Sequence, residues 1–131
     1  MTGLARQLSA LRGCREGVGA VEFALVAPLM LMFIIGGIYL SMLGFTAASL
    51  AYSVEAGARC ASVNTTVCTS TTTTANYASG QFMNLTGATS NFAASSSACG
   101  NRVVGTVTFV IRTGTSQVSV PLTSSACFPF G

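Results

Sequence analysis

Apolar positions along the chain fall into groups of different spacing, and each spacing predicts a different element. No charged residue occurs between positions 23 and 54, and residues 23–45 (FALVAPLMLMFIIGGIYLSMLGF) are an almost unbroken series of Leu, Ile, Met, Phe, Val and Ala. At about 1.5 Å per residue this run makes a helix of about 35 Å, enough to cross the ~30 Å hydrocarbon core of a bilayer. A buried helix of a soluble domain would need a second apolar layer around it, which the rest of the chain does not supply. The run is therefore read as a transmembrane span. Pro28 lies inside it, lacks an N–H, and is expected to kink the helix or free one carbonyl. The helix is expected to run on to about Arg59, which stands i, i+4 from Glu55.

From about Tyr52 the composition turns to Ser, Thr, Ala, Gly and Asn. Residues 73–85 (TTANYASGQFMNL) have mixed helical spacing and predict a short amphipathic helix, with residues 72–74 as caps and Gly80 as its weak point. Period-2 alternation follows. Over residues 103–111, Val103, Val107, Phe109 and Ile111 alternate with Val104, Thr106, Thr108 and Val110; over 116–122, Val118, Val120 and Leu122 alternate with polar residues and Pro121. These two strands predict a hairpin. Pairing Ile111 with Ser116 around Thr113-Gly114-Thr115 aligns the apolar faces, and so does a shift by two that centres the turn on Gly114-Thr115. Pro121 marks the second strand as an edge.

Charge changes this picture less by its amount than by its place. Charged residues are only 7% of the chain: six Arg (6, 12, 15, 59, 102, 112) and three Glu (16, 22, 55), with no His, Asp, Lys or Trp. A Ser-His-Asp triad, a Cys-His dyad, a His or Asp metal cage and a P-loop each need missing residue types. The chain is therefore expected to be no enzyme, with no catalytic residue, metal or cofactor. Its scattered arginines make no nucleic-acid footprint. Arg6, Arg12 and Arg15 precede the span against Glu16 alone, which by the positive-inside rule keeps the N-terminus cytoplasmic and exports the rest.

Cysteine usage agrees with that topology. Cys14 precedes the span, whereas Cys60, Cys68, Cys99 and Cys127 follow it as an even set, suited to two disulfides in an oxidising compartment. Extending the hairpin outward brings residue 99 near residue 127, so Cys99–Cys127 is the preferred pair and Cys60–Cys68 a tight local loop; the other two connectivities stay open. Without a C-x-x-C spacing the cysteines read as staples. Ser49-Leu50-Ala51 loosely matches a signal-peptidase site, but the apolar run exceeds the 7 to 15 residues of an ordinary signal h-region, so anchoring is expected over cleavage there.

The border between basic and apolar residues carries the remaining chemistry. It reads Arg15-Glu16-Gly17-Val18-Gly19-Ala20-Val21-Glu22-Phe23. A carboxylate at the mouth of a membrane helix costs free energy and is usually functional. A cut after Gly17 would place a new α-amino group at Val18 one helical turn from Glu22, within the first turns of a helix whose N-terminus carries partial positive charge. A basic leader, Gly17, Glu22 at the fifth position after it, and a long apolar helix resemble the class III signal of type IV pilins and pseudopilins. More narrowly, residues 19–29 (GAVEFALVAPL), within a likeness over residues 12–50, resemble the TadE-like family of the tight-adherence (Flp, type IVc) pilus system.

That resemblance implies a minor pseudopilin, cut after Gly17 by a dedicated prepilin peptidase on the cytoplasmic side, with Val18 as the mature N-terminus and Glu22 as its acidic fifth residue. Phe23 stands where major Flp pilins commonly have Tyr, and those pilins are much shorter, so a minor subunit is implied. Longer relatives with a metal-dependent adhesion domain need aspartates, which this chain lacks. The implied partners are the prepilin peptidase, other minor pseudopilins, the major pilin, the inner-membrane assembly platform and the lipid bilayer. Small residues four apart (Ala20/Ala24, Gly37/Ser41, Gly44/Ala48, Ala47/Ala51) would let other helices approach closely.

The expected protein is α+β. Residues 1–17 form a cytoplasmic basic leader, 18–59 a long helix with its transmembrane span at about 23–45, and 60–131 an exported Ser/Thr-rich head stapled by disulfides, with a short helix and a C-terminal antiparallel hairpin. It would sit in a bacterial inner membrane as a single-pass protein with a periplasmic head, or in the pilus. The rival reading is a membrane-anchored adhesion or binding module with an uncleaved anchor; a third is a secreted domain released by ordinary signal peptidase.

Overall fold

The computed structural model describes residues 16–85, 87–114 and 116–130. A helix α1 spans Glu16–Val63, followed by helix α2 at Thr71–Gln81 and strands β1 at Thr89–Ser97, β2 at Gly100–Thr113 and β3 at Ser116–Phe128. The chain divides into two compact units, Met1–Ile38 and Tyr39–Gly131.

In the first unit the described residues are helical throughout and α1 continues past Pro28. Phe23, Leu31, Ile35, Met32 and Phe33 are all exposed and stand at different angles around the axis, so the apolar side chains of this stretch cover the whole circumference. A helix apolar all round needs an apolar solvent or partner. Among the described residues, Gly19–Val63 is the helix long and apolar enough to cross a membrane, with a mean hydropathy of 2.3 in its most apolar window.

The second unit is an α+β head with one core. Here α1 becomes one-sided: Leu50, Val54 and Ala58, each four residues from the next, are buried, while Tyr52, Glu55 and Arg59 are exposed. The buried stripe lies on a three-stranded antiparallel sheet of order β1-β2-β3, whose inward residues include Val103, Val107 and Phe109. Phe92, Ala94, Ala126 and Phe128 pack against the cluster of Val54, Ala58, Ala78 and Val103. Gly105 marks the close approach of sheet and helix, since a Cβ there would lie 2.7 Å from the Leu50 side chain and 2.8 Å from Val54.

α1 ends at Val63, beyond the expected Arg59, and the chain turns at once. Val67 and Cys68 both donate backbone N–H groups to the Asn64 carbonyl, at 3.2 and 3.0 Å. The Cys60–Cys68 disulfide, with a Cα separation of 5.9 Å, closes this turn onto the last turns of α1. Ser70 then caps α2: its Oγ accepts from the Thr73 N–H at 3.2 Å, and its own N–H donates to Thr73 Oγ1 at 2.9 Å. Threonine fills the place of the usual Glu in this capping box. The cap therefore precedes the expected residues 72–74, and α2 stops just after Gly80, leaving Phe82, Met83 and Leu85 outside it.

The β2–β3 hairpin adopts the shifted register, with Thr113 opposite Ser116, Ile111 opposite Val118, Phe109 opposite Val120 and Val107 opposite Leu122. Gly114 takes the turn with φ of 60°. Pro121 lies on an edge strand, as expected, where its missing N–H breaks no ladder on the open side. β1 is an addition to the expected fold. Its sequence TSNFAASSS has no run of branched residues, yet it pairs with β2 from Thr89 opposite Thr108 to Ser97 opposite Gly100.

Both disulfides join the preferred partners. Cys99 lies in the β1–β2 turn and reaches Cys127, which stands opposite Arg102, across a Cα separation of 6.2 Å. Gly100, at φ of 122°, turns the chain there and passes so close to the Phe128 carbonyl that a side chain has no room. The bond thus spans a diagonal that a flat continuation of the hairpin does not describe.

Candidate processing and assembly segment

Residues 17–23 all lie within α1, whose first residue is Glu16. Arg6, Arg12, Cys14 and Arg15 lie outside the described residues, as does the side chain of Val18. Glu22 is exposed on the helix and Phe23 follows it with 73% of its surface open. The helical backbone sets Val18 and Glu22 one turn apart. A carboxylate there can meet an ammonium group created at position 18 or the free N–H groups of a newly made helix start. Pro28 lies on the exposed surface six residues further on; lacking an N–H, it leaves the Ala24 carbonyl without its helical donor.

The head carries no comparable concentration of reactive groups. Among the described residues no three His, Cys, Asp or Glu side chains gather into a metal-binding set. A concavity of about 580 Å³ in the head is an open groove walled by hydroxyls, among them Thr69, Ser70, Thr71 and Ser95, with Arg102 at its side. Asn101 lies in the same groove and donates from Nδ2 to the Ala61 carbonyl and to Ser62 Oγ, both at 3.2 Å, tying β2 to the end of α1. The groove has no signature in the sequence, because its walls come from α1, α2 and two strands.

A second arrangement that sequence reasoning missed lies at the other end of the head. Tyr39 Oη donates to the Arg112 carbonyl at 3.3 Å, so the end of the β2–β3 hairpin is fastened to α1 inside the apolar run. Gly87, Ala88, Thr89, Thr108 and Val110 surround the same two residues.

Taken together, the features define a class: a protein with one long apolar N-terminal helix, whose later turns form the spine of a small disulfide-stapled head. Residues 17–59 match the family model described as TadE-like protein, and over that segment the chain is TadE-like. The match begins at Gly17, includes Glu22 and the apolar run, and ends one residue before Cys60. It associates the chain with the tight-adherence pilus system. No curated protein and no solved structure gives a significant match.

Proposed function

We propose that this chain is a minor pseudopilin of a tight-adherence pilus, cut by the prepilin peptidase after Gly17 and acting by noncovalent assembly, with no catalysis of its own. The observation that supports the reading is the TadE-like match over residues 17–59, a segment that includes Glu22 and a helix long and apolar enough to cross a membrane. On this reading the helix is stored in the bacterial inner membrane with its basic leader in the cytoplasm and its head in the periplasm. There the head meets the assembly platform, the other minor pseudopilins and the major pilin. Oxidising conditions outside the cytoplasm suit the Cys60–Cys68 and Cys99–Cys127 bonds.

The mature N-terminus tests this directly. Intact-mass measurement on protein recovered from membranes is expected to find a chain starting at Val18, and Gly17→Ala is expected to abolish that form. A start near Tyr52 would sink the proposal in favour of a secreted domain, and an uncut chain would leave a simple membrane-anchored binding module. Glu22→Ala is expected to leave membrane insertion intact and to reduce pilus formation, counted by electron microscopy.

A further inference from the structure

The Tyr39 to Arg112 hydrogen bond sets a limit on how the head meets a membrane. Resting on the transmembrane reading of α1, the limit follows from lengths. Tyr39 precedes Phe45, the last residue of the apolar run, by six residues, or about 9 Å along the helix. If all of residues 23–45 lay in hydrocarbon, the hairpin end would be drawn about 9 Å into it, carrying the Arg112 charge, which is costly there. If the span stopped at Ile38, its sixteen residues would reach only about 24 Å, short of the ~30 Å core. The bilayer's interfacial layers, which bring it to ~40–45 Å in all, accommodate both demands.

The chemistry of this end of the head suits such a layer. Val118, opposite Ile111 near the turn, is 53% exposed, and Leu85 is 73% exposed on a loop whose ends Asn84 joins by donating to, and accepting from, the Ala88 backbone at 2.7 and 2.9 Å. Tyr39 is an interfacial residue type. Leu40, next to it on α1, stays 71% exposed although the hairpin is fastened at Tyr39. Arg112 is exposed, and residues 60–131 contain two arginines and no acidic side chain; the acidic side chain of the head, Glu55, stands sixteen residues beyond Tyr39 on α1, about 24 Å along the helix from this end.

We propose that the end of the head formed by the β2–β3 turn, Arg112 and the Leu85 loop rests in the phospholipid headgroup layer, with the Arg112 guanidinium on lipid phosphates. The head is then held at a set depth against the membrane before assembly, and leaving the bilayer breaks this contact together with the burial of the helix.

The chain contains no Trp, so single substitutions give clean depth probes. The full chain is reconstituted in vesicles of phosphatidylglycerol and phosphatidylcholine carrying brominated acyl chains. Phe33→Trp reports the span, Val118→Trp the hairpin end, and Val67→Trp, in the Cys60–Cys68 loop, the far end of the head. Strong quenching is expected at position 33, partial quenching by bromines near the headgroups at position 118, and none at position 67. Adding Arg112→Gln, which keeps the backbone carbonyl that Tyr39 binds, is expected to weaken the position-118 contact about fivefold in anionic vesicles and to change little in pure phosphatidylcholine. Quenching at 33 without quenching at 118 overturns the docking while leaving the membrane span standing; no quenching at 33 overturns both. Equal quenching at 118 with and without Arg112→Gln in anionic vesicles removes the assigned phosphate contact.

Discussion

The two stretches of α1 on either side of Tyr39 are the same secondary structure made for different surroundings. Before Tyr39, Phe23, Leu31, Ile35, Met32 and Phe33 are spread around the helix and all are exposed. After it, Leu50, Val54 and Ala58 make one buried stripe, and the opposite side carries Tyr52, Glu55 and Arg59. Helix formation itself therefore says little about where the chain works. What differs is whether the apolar side chains are buried within the molecule or left exposed on its surface.

The contrast can be broken most sharply by the same truncation on both sides. Leu50→Ala is expected to destabilise the head by about 2–5 kcal/mol, because it empties a site closed by Gly105 and Val54. Leu31→Ala is expected to change the same transition by no more than about 0.5 kcal/mol. Denaturant unfolding in detergent micelles, followed by circular dichroism at a wavelength dominated by the head, compares the two; equal losses would abolish the distinction. Replacing Cys99 and Cys127 together by Ser is expected to cost about 3.5 kcal/mol through loop entropy, against about 2.5 kcal/mol for the shorter Cys60–Cys68 loop. Melting temperatures of the two double variants rank them, and a reversed order would show that the local turn carries more of the head's stability than the sheet closure. The smallest effect is expected at the α2 cap, where Ser70→Ala should cost about 1 kcal/mol by leaving the Thr73 N–H without its acceptor. No change in head stability would mean that water or a neighbouring hydroxyl replaces the cap.

Elements whose signal is local were readable before any coordinates. The apolar run, the alternation over residues 103–111 and the Gly114 turn each depend on neighbouring residues, and the extended hairpin favoured the disulfide pairing that the structure adopts over the two connectivities it left open. β1 was not readable, because Ser and Ala carry no strand signal; it forms because β2 is long enough to pair on both edges and because Phe92 and Ala94 find the α1 and α2 surface beneath them. The choice between two registers was likewise undecided, since a shift by two keeps the same residues on the same face. In the proposed processing segment, Gly17 and Glu22 stand out by type and spacing, whereas the hydroxyl groove beside Arg102 draws its walls from four elements far apart in the chain.

The scarcity and placement of charge, the length of the apolar run and the spacing of Gly17 and Glu22 are properties of residue order, because each acts over one or two helical turns or by simple length. The point at which the hairpin meets the apolar run is not. It is decided at Tyr39, seventy-three positions from Arg112 in sequence, where the folding of the sheet brings a hairpin back onto the helix and assigns its later turns to the head. Only long-range packing could make that division, since the side chains on both sides of it are equally apolar.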